Sequence, residues 1–243
     1  DDGNGQLTAK ITSDKVTITN VYTPKKIKIP VTKIWDDHNN QDGKRPESII
    51  VKLLADGNET NKTVELNAGN NWTAKFTDLD ADKGGVPIKY TIAEVNVPKG
   101  YTSVTSGEAK TGFTITNSYT PEKTSVEGTK TWDDANNQDG KRPDKIKVIL
   151  NKTVDGKTSK VAEKEVTKDN WNYEFTNLPK YEGGKEITYS IDEEAVPGYE
   201  KSIDGYNLKN SYTPEVVNVQ GTKTWNDANN QDGKRPDKIK VIL

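Results

Sequence analysis

Three observations predict an all-β fold built from tandem immunoglobulin-like sandwiches. Short runs rich in β-branched and aromatic residues alternate with clusters of Gly, Asn, Asp and Pro. Helical periodicity is not convincing anywhere along the chain. The third observation is self-similarity at the scale of a whole domain. Trp35, Trp132 and Trp225 stand 97 and 93 residues apart, and Asn20, Asn117 and Asn210 keep the same two spacings. Solenoid repeats run to about 20–50 residues, so the repeating unit here is a domain.

The parsing follows from those anchors. Residues 1–24 read as the tail of a preceding module, 25–121 and 122–214 as complete modules, and 215–243 as the start of another. The chain is therefore expected to be a window on a longer array. Within the first complete module, strand-like runs occur at Val51–Leu54, Trp72–Phe76, Lys89–Val95 and Phe113–Tyr119. Turn clusters at Ala68–Asn71, Asp82–Gly85 and Pro98–Gly100 separate them. About seven short strands in roughly 95 residues is the rhythm of a sandwich. The linkers, Thr-Pro-Lys-Lys and Thr-Pro-Glu-Lys, are short enough to suggest a fairly stiff row of beads.

Composition narrows the function. The 243 residues carry a formal net charge of −2 and show no basic stripe, which argues against nucleic acid as a partner. There are no cysteines, so disulfides and thiolate metal sites are excluded. No apolar run is long enough to span a membrane, and Asp1–Gly5 is no signal peptide. The hydrophobic fraction of 30% suits small sandwiches with thin cores better than one large globule.

The alternation of side chains then exposes three polar residues on inward faces. Gly128, Lys130 and Trp132 share one face of a strand, and Lys33 and Trp35 share one in the preceding module. In the last strands, Ile115, Asn117 and Tyr119 align, as do Leu208, Asn210 and Tyr212. One strand earlier, Tyr90, Ile92 and Glu94 align, as do Tyr189, Ile191 and Glu193. Each complete module thus turns one Lys, one Glu and one Asn toward its core.

Two chemistries fit such a trio. One is a buried ion pair hydrogen-bonded to an amide, in which desolvation consumes most of the Coulomb attraction. The other is covalent. Burial favours the neutral forms of an amine and a carboxyl group. A neutral amine is a nucleophile, and a protonated carboxyl can polarise a carboxamide. Attack of Lys on Asn with loss of ammonia would replace two awkward polar groups by one neutral amide.

Longer motifs carry a resemblance. Thr-Lys-x-Trp, the Asn-Asn-Gln-Asp-Gly-Lys-Arg-Pro loop at 39–46, 136–143 and 229–236, and Ile-Thr-Asn-Ser-Tyr-Thr-Pro resemble the B-type (Cna B-type) repeats of the Gram-positive collagen adhesin. Tyr90–Tyr101 and Tyr189–Tyr199 resemble the glutamate-bearing E-box of that family and of related pilins. The resemblance covers essentially the whole chain. It implies a reversed immunoglobulin-like sandwich whose first and last strands are joined by a spontaneous isopeptide bond. Carried over by motif, the bonds are Lys33–Asn117 assisted by Glu94 and Lys130–Asn210 assisted by Glu193. Asn20 lacks its lysine and Lys223 its asparagine, so neither is expected to react in this chain.

The function so implied is a stalk that holds a ligand-binding head away from a cell wall. Its partners would be neighbouring repeats and, through a separate head domain, host extracellular matrix. Nucleic acid, membrane insertion, metals and cofactors have no place in that expectation. Three rivals remain: modules that bind a host ligand directly, a sortase-assembled pilus subunit, and an enzyme. The recurring loop could be a contact surface, though Asn, Asp and Gly before a proline are good turn chemistry. The same loop faintly resembles a calcium site at Asp37, Asn39 and Gln41, with its glycine one place late. The carboxylate pairs Asp36–Asp37 and Glu193–Glu194 do not converge, and His38 reads as a solvated loop residue. A pilin-like Tyr-Pro-Lys-Asn motif is lacking.

Overall fold

The computed structural model describes residues 5–12 and 15–243, with side chains from Asn20 onward. Its elements are strands, short turns and two single-turn 3-10 helices. In the first complete module, one sheet orders the strands Thr102–Glu108, Gly112–Ser118, Lys26–Asp36 and Thr73–Asp80. The facing sheet holds Asn58–Asn67, Ser48–Ala55 and Tyr90–Val95. The second module repeats this plan. Glu200–Asp204, Asn207–Ser211, Lys123–Asp133 and Asn172–Pro179 form one sheet, facing Lys157–Thr167, Lys145–Val154 and Thr188–Glu193.

One pairing decides the rest. The first and last strands of each module lie side by side and parallel, while the remaining pairs of named strands are antiparallel. Parallel neighbours cannot be joined by a hairpin, so the chain must travel round the whole sandwich between them. The module's two ends are thereby brought into one sheet.

Period-two burial follows the sequence closely. Ile29, Val31 and Lys33 are buried along the first strand, and Phe113, Ile115 and Asn117 along the last. Val51, Leu53, Ile92 and Leu66 close the core from the other sheet. Val148, Leu150, Ile191 and Val166 do the same in the second module. One compensating exchange separates the cores. Val31 faces Ala74 across its strand pair, whereas Gly128 faces Tyr173 at the matching place. The tyrosine fills what valine filled, and its hydroxyl donates to the Tyr206 carbonyl. A Cβ on Gly128 would run into that carbonyl and the tyrosine ring, so glycine is required there.

Outside the two sandwiches, Gly5–Thr12 and Lys15–Tyr22 form an antiparallel hairpin. Residues 216–243 contain no strand, and Val216, Val217, Val241 and Ile242 are exposed. Strand ends differ slightly from the sequence expectation at Trp72. It sits just before the strand Thr73–Asp80 with φ of 59°, because the chain reverses there after the Asn67-capped turn.

Candidate functional site

The parallel pair sets the geometry of the trio. Lys33 lies beside Ile115 and Asn117 beside Trp35, so amine and carboxamide occupy neighbouring inward positions on adjacent strands. Lys130 lies beside Leu208 and Asn210 beside Trp132 in the same register. The glutamate arrives from the opposite sheet, on Tyr90–Val95 in one module and Thr188–Glu193 in the other. Lysine and asparagine thus come from one layer and the acid from the layer facing it.

Water is excluded by packing. Lys33, Lys130, Asn117, Asn210 and Glu193 are all buried, and Glu94 is half-buried. An aromatic cluster covers the site in each module. Trp35 meets Trp72 and Tyr101 edge-on with ring centroids 5.2 Å apart, and Trp132 meets Trp171 at 5.4 Å and Tyr199 at 5.0 Å. The Lys33 nitrogen stands 4.2 Å from the Trp35 ring centre and that of Lys130 4.5 Å from Trp132. A ring face offers a cation partial compensation for lost water.

In the first module, Asn117 Nδ2 donates to Glu94 Oε1 at 2.9 Å and the Ser103 hydroxyl donates to Glu94 Oε2 at 2.8 Å. Lys33 Nζ donates to the Ile34 carbonyl at 3.3 Å, while Asn117 Oδ1 is buried without a partner. Burial pushes the Lys33 amine down to about 8, against the opposing pull of Glu94 and Asp37. A nucleophilic fraction is therefore present near neutral pH.

In the second module the amine and acid approach directly. Lys130 Nζ lies 2.8 Å from Glu193 Oε1, with both side chains out of water. The amine and acid thus form a close ion pair, while Asn210 Oδ1 is buried without a hydrogen-bonded partner. Burial lowers the Lys130 pKa, Glu193 opposes that shift, and the charge of Lys201 adds to it. Lys201 takes the register position that Ser103 holds in the first module. It donates to the Glu193 carbonyl at 3.0 Å and pairs with Asp192.

The terminal residues lie apart from any such site. Asn20 is exposed in its hairpin opposite Leu7. Lys223 is exposed, with its nitrogen 3.9 Å above the Trp225 ring.

A second buried constellation went unforeseen. Asp37 and Asp134 are buried, each gripped by an arginine eight residues on. Arg45 donates from Nε and Nη2 to Asp37 at 3.0 and 2.6 Å, and the Tyr101 hydroxyl adds 2.9 Å. The hydrogen bonds from Arg142, the Asn137 N–H and Tyr199 outweigh burial and hold Asp134 at about 2. With its oxygens so engaged, Asp37 is not disposed to bind a cation. Among the described residues no group of three or more His, Cys, Asp or Glu is arranged to hold a metal. His38 is exposed.

Known proteins match this arrangement. The model of the Cna protein B-type domain matches residues 29–118, 126–211 and 219–243. The collagen adhesin of Staphylococcus aureus is 50% identical over 228 residues, which cover 93% of this chain and 19% of that protein. Serine-aspartate repeat-containing protein D of S. aureus strain Newman is 30% identical over 217 residues, 79% of this chain and 15% of that protein. This chain therefore spans less than a fifth of these relatives. The crystal structure of two B repeat units of the S. aureus collagen-binding protein matches with a TM-score of 0.71 at 47% identity, covering 95% of this chain and 60% of that one. Two complete sandwiches with parallel first and last strands, together with these matches, show that the chain belongs to the Cna B-type domain family.

Proposed function

We propose that the chain is part of the extracellular stalk of a Gram-positive surface adhesin, and that each complete module is closed by an autocatalytic Lys–Asn isopeptide bond. The observation that carries this reading is the buried trio set across parallel first and last strands. The stalk would project a ligand-binding head that lies outside these residues. Likeness to a collagen adhesin supports host matrix as the head's target.

The chemistry balances within each module. The neutral Lys33 amine attacks Cγ of Asn117, and Glu94 lends a proton to the carboxamide oxygen as the tetrahedral centre forms. Turning the Asn117 carboxamide over would place Oδ1 where Nδ2 now meets Glu94. Glu94 then carries a proton from Nζ to Nδ2, the C–Nδ2 bond breaks, ammonia leaves, the oxygen returns its proton to Glu94, and an Nζ–Cγ amide remains. Lys130, Asn210 and Glu193 hold the same roles in the second module. Each centre reacts once, so this is maturation rather than turnover.

The mechanical consequence follows from topology. The bond would tie neighbouring strands at the two ends of a module, so tension applied to the termini would cross it and bypass most of the sandwich. It would also close a loop of about 80 residues, restricting the unfolded chain much as a disulfide does, by about 4–5 kcal/mol. Without cysteines, such a staple is indifferent to redox conditions.

Intact mass of the denatured chain tests the reading. A deficit of two ammonias, mapped by peptide analysis to Lys33–Asn117 and Lys130–Asn210, is expected. A full sequence mass would leave the Lys130–Glu193 ion pair and the Asn117–Glu94 hydrogen bond as they stand, and remove the covalent basis of the stalk.

A further inference from the structure

The Asn-Asn-Gln-Asp-Gly-Lys-Arg-Pro loop has a task beyond turning the chain. Its shape is set locally. Three successive residues, His38–Asn40, Ala135–Asn137 and Ala228–Asn230, adopt positive φ in each copy. Asparagine tolerates this left-handed region better than most residues, which accounts for the Asn pair. Asp37 caps the Asn40 N–H at 2.9 Å, and Asn40 Oδ1 accepts from the Arg45 N–H at 2.9 Å. The copy at 227–235 keeps the same Asp–Arg fork and the same Asn–Arg bond with no sandwich built around it. The loop is thus a self-organised platform.

What the platform presents differs along the chain. In the first module, Asp42 Oδ2 accepts from the Tyr119 hydroxyl at 2.9 Å and from the Glu122 N–H at 2.8 Å, so one carboxylate grips both ends of the linker. Beside it, the Gln41 carbonyl accepts from the N–H of Gly184, at the tip of the second module's Tyr181–Glu186 hairpin. Backbone meets backbone there: a Cβ on Gly43 would lie 2.6 Å from Gly184 Cα. Lys44 completes the contact, 3.8 Å from Glu122 and over the Tyr181 ring. Asp42 is only 6% exposed in this setting.

In the second module the linker half of the contact is repeated and the hairpin half is open. Asp139 Oδ2 accepts from the Tyr212 hydroxyl and the Glu215 N–H, both at 2.9 Å, and Lys141 pairs with Glu215 at 3.1 Å. Gly140, however, faces open space, and Asp139 is half-buried. The matching hairpin tip of the first module, Gly84–Gly85, also faces open space among the described residues.

We propose that this loop is the joint that seats each following module, fixing its direction through the linker carboxylate grip and the diglycine hairpin tip. The open loop at 138–141 is the seat for the Gly-Gly tip of a following B-type module. The open tip at 84–85 is the plug for the loop of a preceding one. The occupant is argued from the filled joint between residues 41–44 and 181–184, where glycine on both sides permits close approach of two backbones. The first-module plug carries Lys25 where the second carries Glu122, so a lysine of the Lys44 kind would find no carboxylate there. Joints of unequal firmness should therefore occur along one array.

Residual dipolar couplings on the full 243-residue chain test this, since they report the relative orientation of the two complete modules. One shared alignment tensor is expected for the parent chain. Asp42→Ala should give the modules two different tensors, while Asp139→Ala, the same change in the same loop, should leave the shared tensor intact. Lys44→Glu, which alters an exposed side chain facing Glu122, should loosen the pair partially without affecting folding. Each sample's mass deficit and thermal unfolding report separately on the crosslinks and the sandwiches. Separate tensors in the parent chain would overturn the proposal. So would an Asp42→Ala chain that keeps one tensor, or Asp42→Ala and Asp139→Ala chains that behave alike.

Discussion

The two complete modules solve one electrostatic problem in two ways. In the first, Glu94 is half-buried and engaged by neutral donors, Asn117 and Ser103, while Lys33 turns to a backbone carbonyl. In the second, Glu193 is fully buried and lies against Lys130, with Lys201 in the place of Ser103. A paired buried charge is tolerable, and the same charge left alone is costly. The second site therefore depends on its acid for stability as well as for chemistry, whereas the first depends on it mainly for chemistry.

Removing each acid should expose that asymmetry. Glu193→Ala leaves Lys130 buried without its carboxylate, a loss of about 3–5 kcal/mol. It also forfeits the crosslink term of about 4–5 kcal/mol. The second module should lose most of its stability, with one ammonia restored to the mass and the first module's unfolding transition unmoved. Glu94→Ala should restore one ammonia as well and leave Lys33 uncrosslinked, yet be the smaller of the two losses, because Lys33 keeps its bond to the Ile34 carbonyl. The crosslink term by itself corresponds to a drop of about 15–40 °C for a domain of this size. Equal losses in calorimetry would sink the distinction between the sites.

Acidity gives the next largest effect. In an Asn117→Ala chain, Lys33 stays uncrosslinked and its folded amine titrates near 8, below the unfolded value of 10.5. Between those values the unfolded state binds more protons, so stability rises with pH. The penalty is fully present below pH 8 and is gone above 10.5, a span of about 3 kcal/mol. For the wild-type pair, the same titration predicts that crosslinking of the newly synthesised chain accelerates as pH rises toward 8. A first-module rate independent of pH between 6 and about 9 would show that the amine is not the titrating nucleophile.

Much of this was open to inspection in the sequence because alternation and repetition are local signals. Lys33, Glu94 and Asn117 stand out because each breaks an apolar stripe at the same point in both modules. The Asp37–Arg45 fork had its own signal, an Asp–Arg spacing of eight kept in three copies. Its tyrosine did not, since Tyr101 is distant in sequence and reaches Asp37 only through the sandwich. The exchange of Val31–Ala74 for Gly128–Tyr173 was equally hidden, because it requires the register between strands. Turn chemistry explained the shape of the 39–46 loop but gave no sign of the hairpin tip it meets, which belongs to another module.

Ser103 is the finest point of the comparison. Its hydroxyl holds Glu94 Oε2 at 2.8 Å, leaving Oε1 to meet the Asn117 carboxamide. Losing one such bond to a partly buried carboxyl group is worth about 1 kcal/mol. Ser103→Ala should therefore slow bond formation in the first module about fivefold, with the bond still formed in full at long times. The second module has no counterpart to lose, because Lys201 contacts the Glu193 backbone and Asp192 while leaving the Glu193 carboxylate untouched. Lys201→Ala should instead raise the Lys130 pKa slightly by removing a neighbouring positive charge, lowering the neutral fraction of the nucleophile. Time-resolved mass spectra of chains freshly made by cell-free synthesis would separate the two. A slower first module in Ser103→Ala with an unchanged second module supports acid positioning by the serine, and an unchanged first-module rate would assign Ser103 to packing alone.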